Sequence, residues 1–169
     1  MINFSIKSVF IHFLEKLEAL VEKVPEDVFS QALHQDMFCL AIQARIATNF
    51  ALRGYCPLAD KEVINFDQPE QDKAAVLGQI RQTILYLRGL PEVSHLDEET
   101  KHNEKAGFNN VTLPQPAFIH QYILPNFYFH ISMVYAIARS SGVKISKADF
   151  DGLHQYPAEF SFLDKSSAD

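Results

Sequence analysis

The sequence predicts an all-α protein, a small helical bundle, and three observations carry that reading. Four stretches repeat apolar residues at three- and four-residue steps, the spacing of one helix face. Proline or glycine stands where these stretches end, at Pro25, Gly54, Gly89 with Pro91, and Gly142. The longest apolar run, Phe118 to Ala138, is broken by Pro125, Asn126 and His130, as expected of a core helix that also carries polar groups.

The first helix is expected over residues 5–24. Ile6, Val9, Phe10, Phe13, Leu14, Leu17, Leu20 and Val21 form its apolar face, with His12 and the glutamates on the solvent side. Pro25 stops it. The second is expected over 36–53, opened by Asp36 as an acidic cap and closed by Gly54. At about 100° per residue, Arg45, Asn49 and Arg53 share one edge, expected to be solvated. Asp36 and Gln43 fall instead beside Leu40, Ala47 and Phe50, at the inward face. A long connection follows. The third helix is expected over 69–88, with Pro69 in its first turn and Val76, Leu77, Ile80, Ile84 and Leu87 as its core stripe.

Residues 92–116 are the most polar stretch and read as a charged loop, with a short extended piece at Phe108–Leu113. His95 and His102 within it are expected to be solvated. The fourth helix is expected over 117–139. Gln121, Tyr128, Ser132, Tyr135 and Arg139 share its wetter side, and Asn126 and His130 lie nearly opposite, one turn apart. Pro125 should free a carbonyl near residue 121, which Asn126 is placed to serve unless it faces the bundle interior. Ser146 and Asp149 form a capping-box pattern for one more short turn. Phe160, Phe162 and Leu163 are apolar enough to pack onto the bundle or a neighbour, and 165–169 are expected to be disordered.

Composition narrows the function classes. A chain of 169 residues fits one domain spanning 1–169, and a net charge of -6 with scattered Lys and Arg gives no footprint for nucleic acid. No run of ~18 uninterrupted apolar residues exists, so no membrane span is expected. Lys7, His12, Glu15 and Lys16 interrupt the N-terminal apolar residues, unlike a signal peptide. Cys39 and Cys56 form no CxxC pair and read as buried free thiols, consistent with a cytoplasmic location.

Two helices thus each offer an inward polar pair, Asp36 with Gln43 and Asn126 with His130. Three readings of that constellation stand open. It is a divalent-metal site, an acid–base site in which Asp36 orients His130, or a core hydrogen-bond network that fixes helix register.

The segments Asp36-Met37-Phe38, Gln43, Pro125-Asn126-Phe127-Tyr128-Phe129-His130, Tyr135-Ala136-Ile137, Gly142-Val143 and Lys147-Ala148-Asp149-Phe150 resemble, in order, an uncharacterised bacterial family, the domain of unknown function DUF1993. That family is similar to the DinB/YfiT-like superfamily of metalloenzymes. The resemblance implies a four-helix bundle with a long crossover between the second and third helices and a short C-terminal extension. It also implies a divalent metal, nickel or zinc, held by one histidine of the second helix and an HxxxH pair of the last. Asn126 to His130 occupies the HxxxH place and Gln43 that of the helix-two histidine. Only His130 keeps the ligand type, so the implied metal site is degenerate, with His130 its ligand if a metal is held. The segment before Pro114 is shorter than the family's usual hairpin. The expectation is a small-molecule or catalytic site lined by Asp36, Gln43, His120, Asn126 and His130, with Tyr122 nearby. His130 and Asp36 are its catalytic candidates. The alternative is a non-catalytic dimerising or interaction module, such as a homodimer, with a structural polar network in its core.

Overall fold

The structure, a computed structural model, describes residues 5–157, 160 and 161. The expectations for Phe162, Leu163 and the 165–169 tail lie outside the described residues. The described chain is mostly helical, with one two-stranded sheet that departs from the all-α expectation.

Helix α1 spans Ile6–Lys23, with Ser5 as N-cap accepting from the Ser8 amide and Phe10, Leu14, Leu17, Leu20 and Val21 buried. His12 is half-buried rather than solvated, and its Nε2 bonds the Asp151 carbonyl at 2.9 Å. After a 3₁₀ turn at Glu26–Val28, α2 spans Leu40–Leu58. It starts four residues later than expected. Cys39 is its N-cap and offers no side-chain bond to the helix amides. The first helical amides are met instead by the backbone, Leu40 N–H by Gln31 O at 2.9 Å and Ala41 N–H by Phe29 O at 3.1 Å.

Helix α2 also runs past Gly54, which is not a terminator. A Cβ at residue 54 would lie 2.5 Å from Ile123 Cγ2. The missing side chain lets α2 approach the last long helix closely. Helix α3 spans Lys73–Gly89, with Asp72 rather than the Pro69 region opening it; Asp72 accepts from the Ala75 amide at 2.8 Å.

The polar stretch before Pro114 forms an antiparallel hairpin, β1 (Lys101–Ala106) and β2 (Asn109–Pro114). Its two-residue loop puts Gly107 at φ 62, in the first central position where hairpins favour glycine. Along β1, exposed Lys101, Asn103 and Lys105 alternate with half-buried His102, Glu104 and Ala106. That is a period of two written almost wholly in polar residues, which is why it reads as loop. His102 is not solvated: its ring lies 4.8 Å from that of Phe118.

The last long helix is composite. Helix α4 (Gln115–Ala117) leads into a π-helical turn at Phe118–Ile123 and then α5 (Leu124–Ser140). Pro125 brings no N–H to the ladder, and the helix widens just before it. Its supposed wet side is partly covered: Tyr128 packs on Phe13 of α1 at 4.9 Å, and Tyr135 approaches Phe150. The short α6 (Lys147–Asp151) carries the expected capping box of Ser146 and Asp149.

Helix α2 packs along α5 and α3, α1 packs along α3 and α2, and α6 rests on α1. Their apolar faces share one core that includes Phe10, Leu14, Leu40, Leu52, Tyr55, Ile80, Leu87, Ile119 and Phe127. The segment linking α2 to α3 is tied down by polar bonds as well as by Phe66, which packs on Tyr86. Gln79, 0% exposed on α3, donates to Thr48 Oγ1 (2.7 Å), Asp67 Oδ1 (3.0 Å) and Asn49 Oδ1 (3.2 Å) and accepts from Arg45 Nε (2.9 Å). Arg45 also donates to the carbonyls of Gln68 and Glu70. Arg45 and Asn49 are therefore structural ties and not a solvated edge.

Candidate functional site

The polar residues expected at the inward face divide. Gln43 is buried on α2 and faces half-buried His130 on α5. Their contact, His130 Nδ1 to Gln43 Oε1, is 2.6 Å. The Gln43 amide nitrogen donates to the Phe38 carbonyl at 3.4 Å, which turns the amide oxygen toward the histidine. An amide oxygen only accepts, so Nδ1 carries the imidazole proton and Nε2 keeps its lone pair. Among the described residues Nε2 has no hydrogen-bond partner, and it is not one of the sealed, unpaired polar atoms. Burial, and then the charge of Arg53, push the His130 pKa down to about 4. The ring is therefore neutral at neutral pH.

The other expected members stand elsewhere. Asp36 is not on α2 at all. It lies in the turn before it, with its side chain 79% exposed and paired to His34. The helix begins at Leu40, so the angular position assumed for Asp36 does not exist, and no contact links it to His130. Asn126 is half-buried, and its Nδ2 donates to the Tyr122 carbonyl at 2.7 Å. It serves the helix backbone next to Pro125, one carbonyl along from the expected one. His120 is exposed and lines a surface depression with Glu98, Glu99 and Gln121.

Around His130 the structure places Phe50 and the expected neighbour Tyr122, and adds Arg53 and Glu104, which the sequence did not flag as part of the site. The Phe50 ring stacks with the imidazole, centroids 5.6 Å apart and planes 22° apart. The Arg53 guanidinium lies 4.4 Å from the centre of the same Phe50 ring. Arg53 also donates to Tyr122 Oη at 2.9 Å and meets the Glu104 carboxylate of β1, with Nε–Oε2 at 3.2 Å and Nη2–Oε1 at 3.0 Å. Tyr122 Oη in turn donates to the Lys105 carbonyl at 3.3 Å. Residues 43, 50 and 53 fall on one face of α2 at steps of seven and three, a periodicity that was available in the sequence. Glu104 was not, because its place depends on the hairpin. Phe129, 50% exposed, stands edge-on to His130 with ring centres 5.2 Å apart.

With this geometry in hand, the model of the family described as a domain of unknown function, DUF1993, matches residues 4–151. The chain belongs to the DUF1993 family. A crystal structure of a DinB family member protein from Shewanella denitrificans is similar to it, with a TM-score of 0.76 and 25% identity over 90% of this chain and 92% of that one. No curated protein matches the chain.

The donor set of this DUF1993 chain does not fit a nickel or zinc ion held by three histidines. His130 brings one free imidazole nitrogen. Gln43 Oε1 already accepts from Nδ1, and a neutral amide oxygen is a poor zinc or nickel ligand beside imidazole. Asn126 is turned to the backbone. Among the described residues, no three His, Cys, Asp or Glu side chains stand together as a metal site. Nor is any helix among them long and apolar enough to cross a membrane.

Proposed function

We propose that this DUF1993 protein is a DinB-like four-helix bundle that binds a small organic molecule at His130. The reading takes α1, α2, α3 and α5 as the bundle helices of a single domain. The segment 59–72 is then the long crossover between the second and third. The observation that supports the site is a neutral imidazole whose Nδ1–H is held by Gln43 while its Nε2 is left unpaired. Such a nitrogen accepts a hydrogen bond from a ligand O–H or N–H at neutral pH. A base whose conjugate acid titrates near 4 takes up protons poorly, so the lowered pKa favours recognition over general-base catalysis. Phe50 and Phe129 give the nitrogen an aromatic surround.

Imidazole nitrogen NMR tests this reading. A single Nδ1–H tautomer is expected for His130 from pH 5.5 to 8, and small aromatic fragments should shift its Nε2 resonance. A His130 that titrates as a free histidine, or that no fragment perturbs, would sink the proposal. Elemental analysis of untagged protein is expected to give sub-stoichiometric nickel and zinc.

A second reading, a homodimer that covers this face, is favoured by the exposed phenyl groups of Phe38 (55%) and Phe129 (50%) beside Gln43 and His130. Sedimentation decides it: a monomer at high protein concentration removes this reading.

A further inference from the structure

Resting on the small-molecule reading of the His130 site, we infer that its ligand is a small organic carboxylate, and that Glu104 of the hairpin occupies the carboxylate position as an internal stand-in.

Arg53 is presented as a carboxylate receptor is. Its guanidinium is held from the helical side by the Phe50 ring at 4.4 Å and by Tyr122 Oη at 2.9 Å. Neither contact needs Glu104, so the fork stays oriented without it. Of the fork's two donors, Nε donates to Glu104 Oε2 at 3.2 Å, while Nη2, which donates to Tyr122, stands 3.0 Å from Oε1 as an ion-pair contact. A fork that presents Nε and Nη2 side by side is what lets arginine take a carboxylate at two points. Lysine would supply charge but not the fork.

The position lies beside the other half of the site. His130 and Arg53 both contact the same Phe50 ring. A carboxylate on Arg53 would therefore sit next to the ring against which the His130 imidazole stacks. The group that fills the place now comes from a separate element. The hairpin has other holds on the helices, through the His102 ring on Phe118 and the Lys105 carbonyl on Tyr122. Its strands pair with each other from Lys101–Pro114 to Ala106–Asn109. Losing the Glu104 contact does not remove what keeps β1 in place. An incoming carboxylate exchanges one ion pair for an equivalent one, so wild-type affinity is set low by competition within the chain.

Titration calorimetry at pH 7.5 with benzoate and with benzamide, its neutral isostere, tests the inference on wild type, Glu104→Ala and Glu104→Ala with Arg53→Lys. Benzoate is expected to bind Glu104→Ala at least ten-fold more tightly than wild type, with no such gain for benzamide and with the gain lost in the double variant. Equal benzoate affinity for wild type and Glu104→Ala overturns the inference, and so does an equal gain for benzamide. Circular dichroism checks folding, and Glu104→Gln takes the place of the alanine variant, with the same outcomes, should that one not fold. The His130 resonance separates the two claims. Benzamide that shifts Nε2 in wild type, while Glu104→Ala gains nothing for benzoate, leaves the His130 site standing and removes the carboxylate assignment.

Discussion

Helix α2 takes part in two polar networks, and they differ in one respect. Around Gln79 every polar end of the amide is used: its nitrogen meets Thr48, Asn49 and Asp67, and its oxygen meets Arg45. Around His130 one end is used, by Gln43, and the other is left over. Burial is costly for a polar atom without a partner, so a closed network is a device for holding structure. The Gln79 network holds the connection between α2 and α3. The His130 network sits at the same helix yet leaves an acceptor unspent beside an arginine and an aromatic ring. The difference separates a closed strut from the open acceptor on which the proposed ligand site rests.

The sharpest way to break this comparison is to remove each centre. Gln79→Ala removes the acceptor of Arg45 Nε and the donor to Thr48, Asn49 and Asp67, and is expected to cost about 3 kcal/mol in urea unfolding. A loss below about 1 kcal/mol would mean that water replaces the amide and that the network is not closed. The His130 centre should show itself through pH instead. Its folded pKa is lowered from 6.5 to about 4, so between those values the unfolded chain binds more protons. The contribution is complete above pH 6.5, falls as the pH drops toward 4 and stays lost below it. After discounting for the solvent that reaches the ring, the loss is about 1–2 kcal/mol. It should be absent from the difference between pH 7 and pH 4 in His130→Phe; an unchanged slope in that variant would assign the effect elsewhere.

Two smaller effects sharpen the division. Asn126→Ala removes a bond to the helix backbone and is expected to cost about 1 kcal/mol in thermal unfolding without altering the His130 resonances. A large His130 shift in that variant would return Asn126 to the site. His120→Ala is expected to change stability by less than about 0.5 kcal/mol, because the side chain is exposed.

The helices were legible in the sequence because their information is periodic and local. Ser5, Pro25, Gly89 and the Ser146–Asp149 box act where they stand. The start of α2 was not legible, since its amides are capped by carbonyls of residues 29 and 31, a contact that exists only after the chain has turned back. That single shift took Asp36 out of the site. Of the hairpin, β2 matches the extended piece expected at Phe108–Leu113, whereas β1 was hidden for a different reason. Its alternation sets charged residues against a histidine and a glutamate, so hydropathy does not distinguish its two faces. Gln43 and His130 were found because each is a polar residue at an apolar position of a strongly periodic helix. Arg53 was misread because a helical wheel counts an arginine as solvated, although a neighbouring ring, a tyrosine and a strand were waiting for it.

Gly54 gives the arrangement a gauge. Its hydrogen sets the distance between α2 and the π-helical turn, where any Cβ would strike Ile123 at 2.5 Å. Ile123 directly follows Tyr122, and Arg53 directly precedes Gly54. A methyl group at residue 54 would push apart the two backbones that bring guanidinium and phenol within 2.9 Å of each other. Residue 54 makes none of these polar contacts, yet the smallest side chain in the protein determines how far the arginine can lean on its tyrosine.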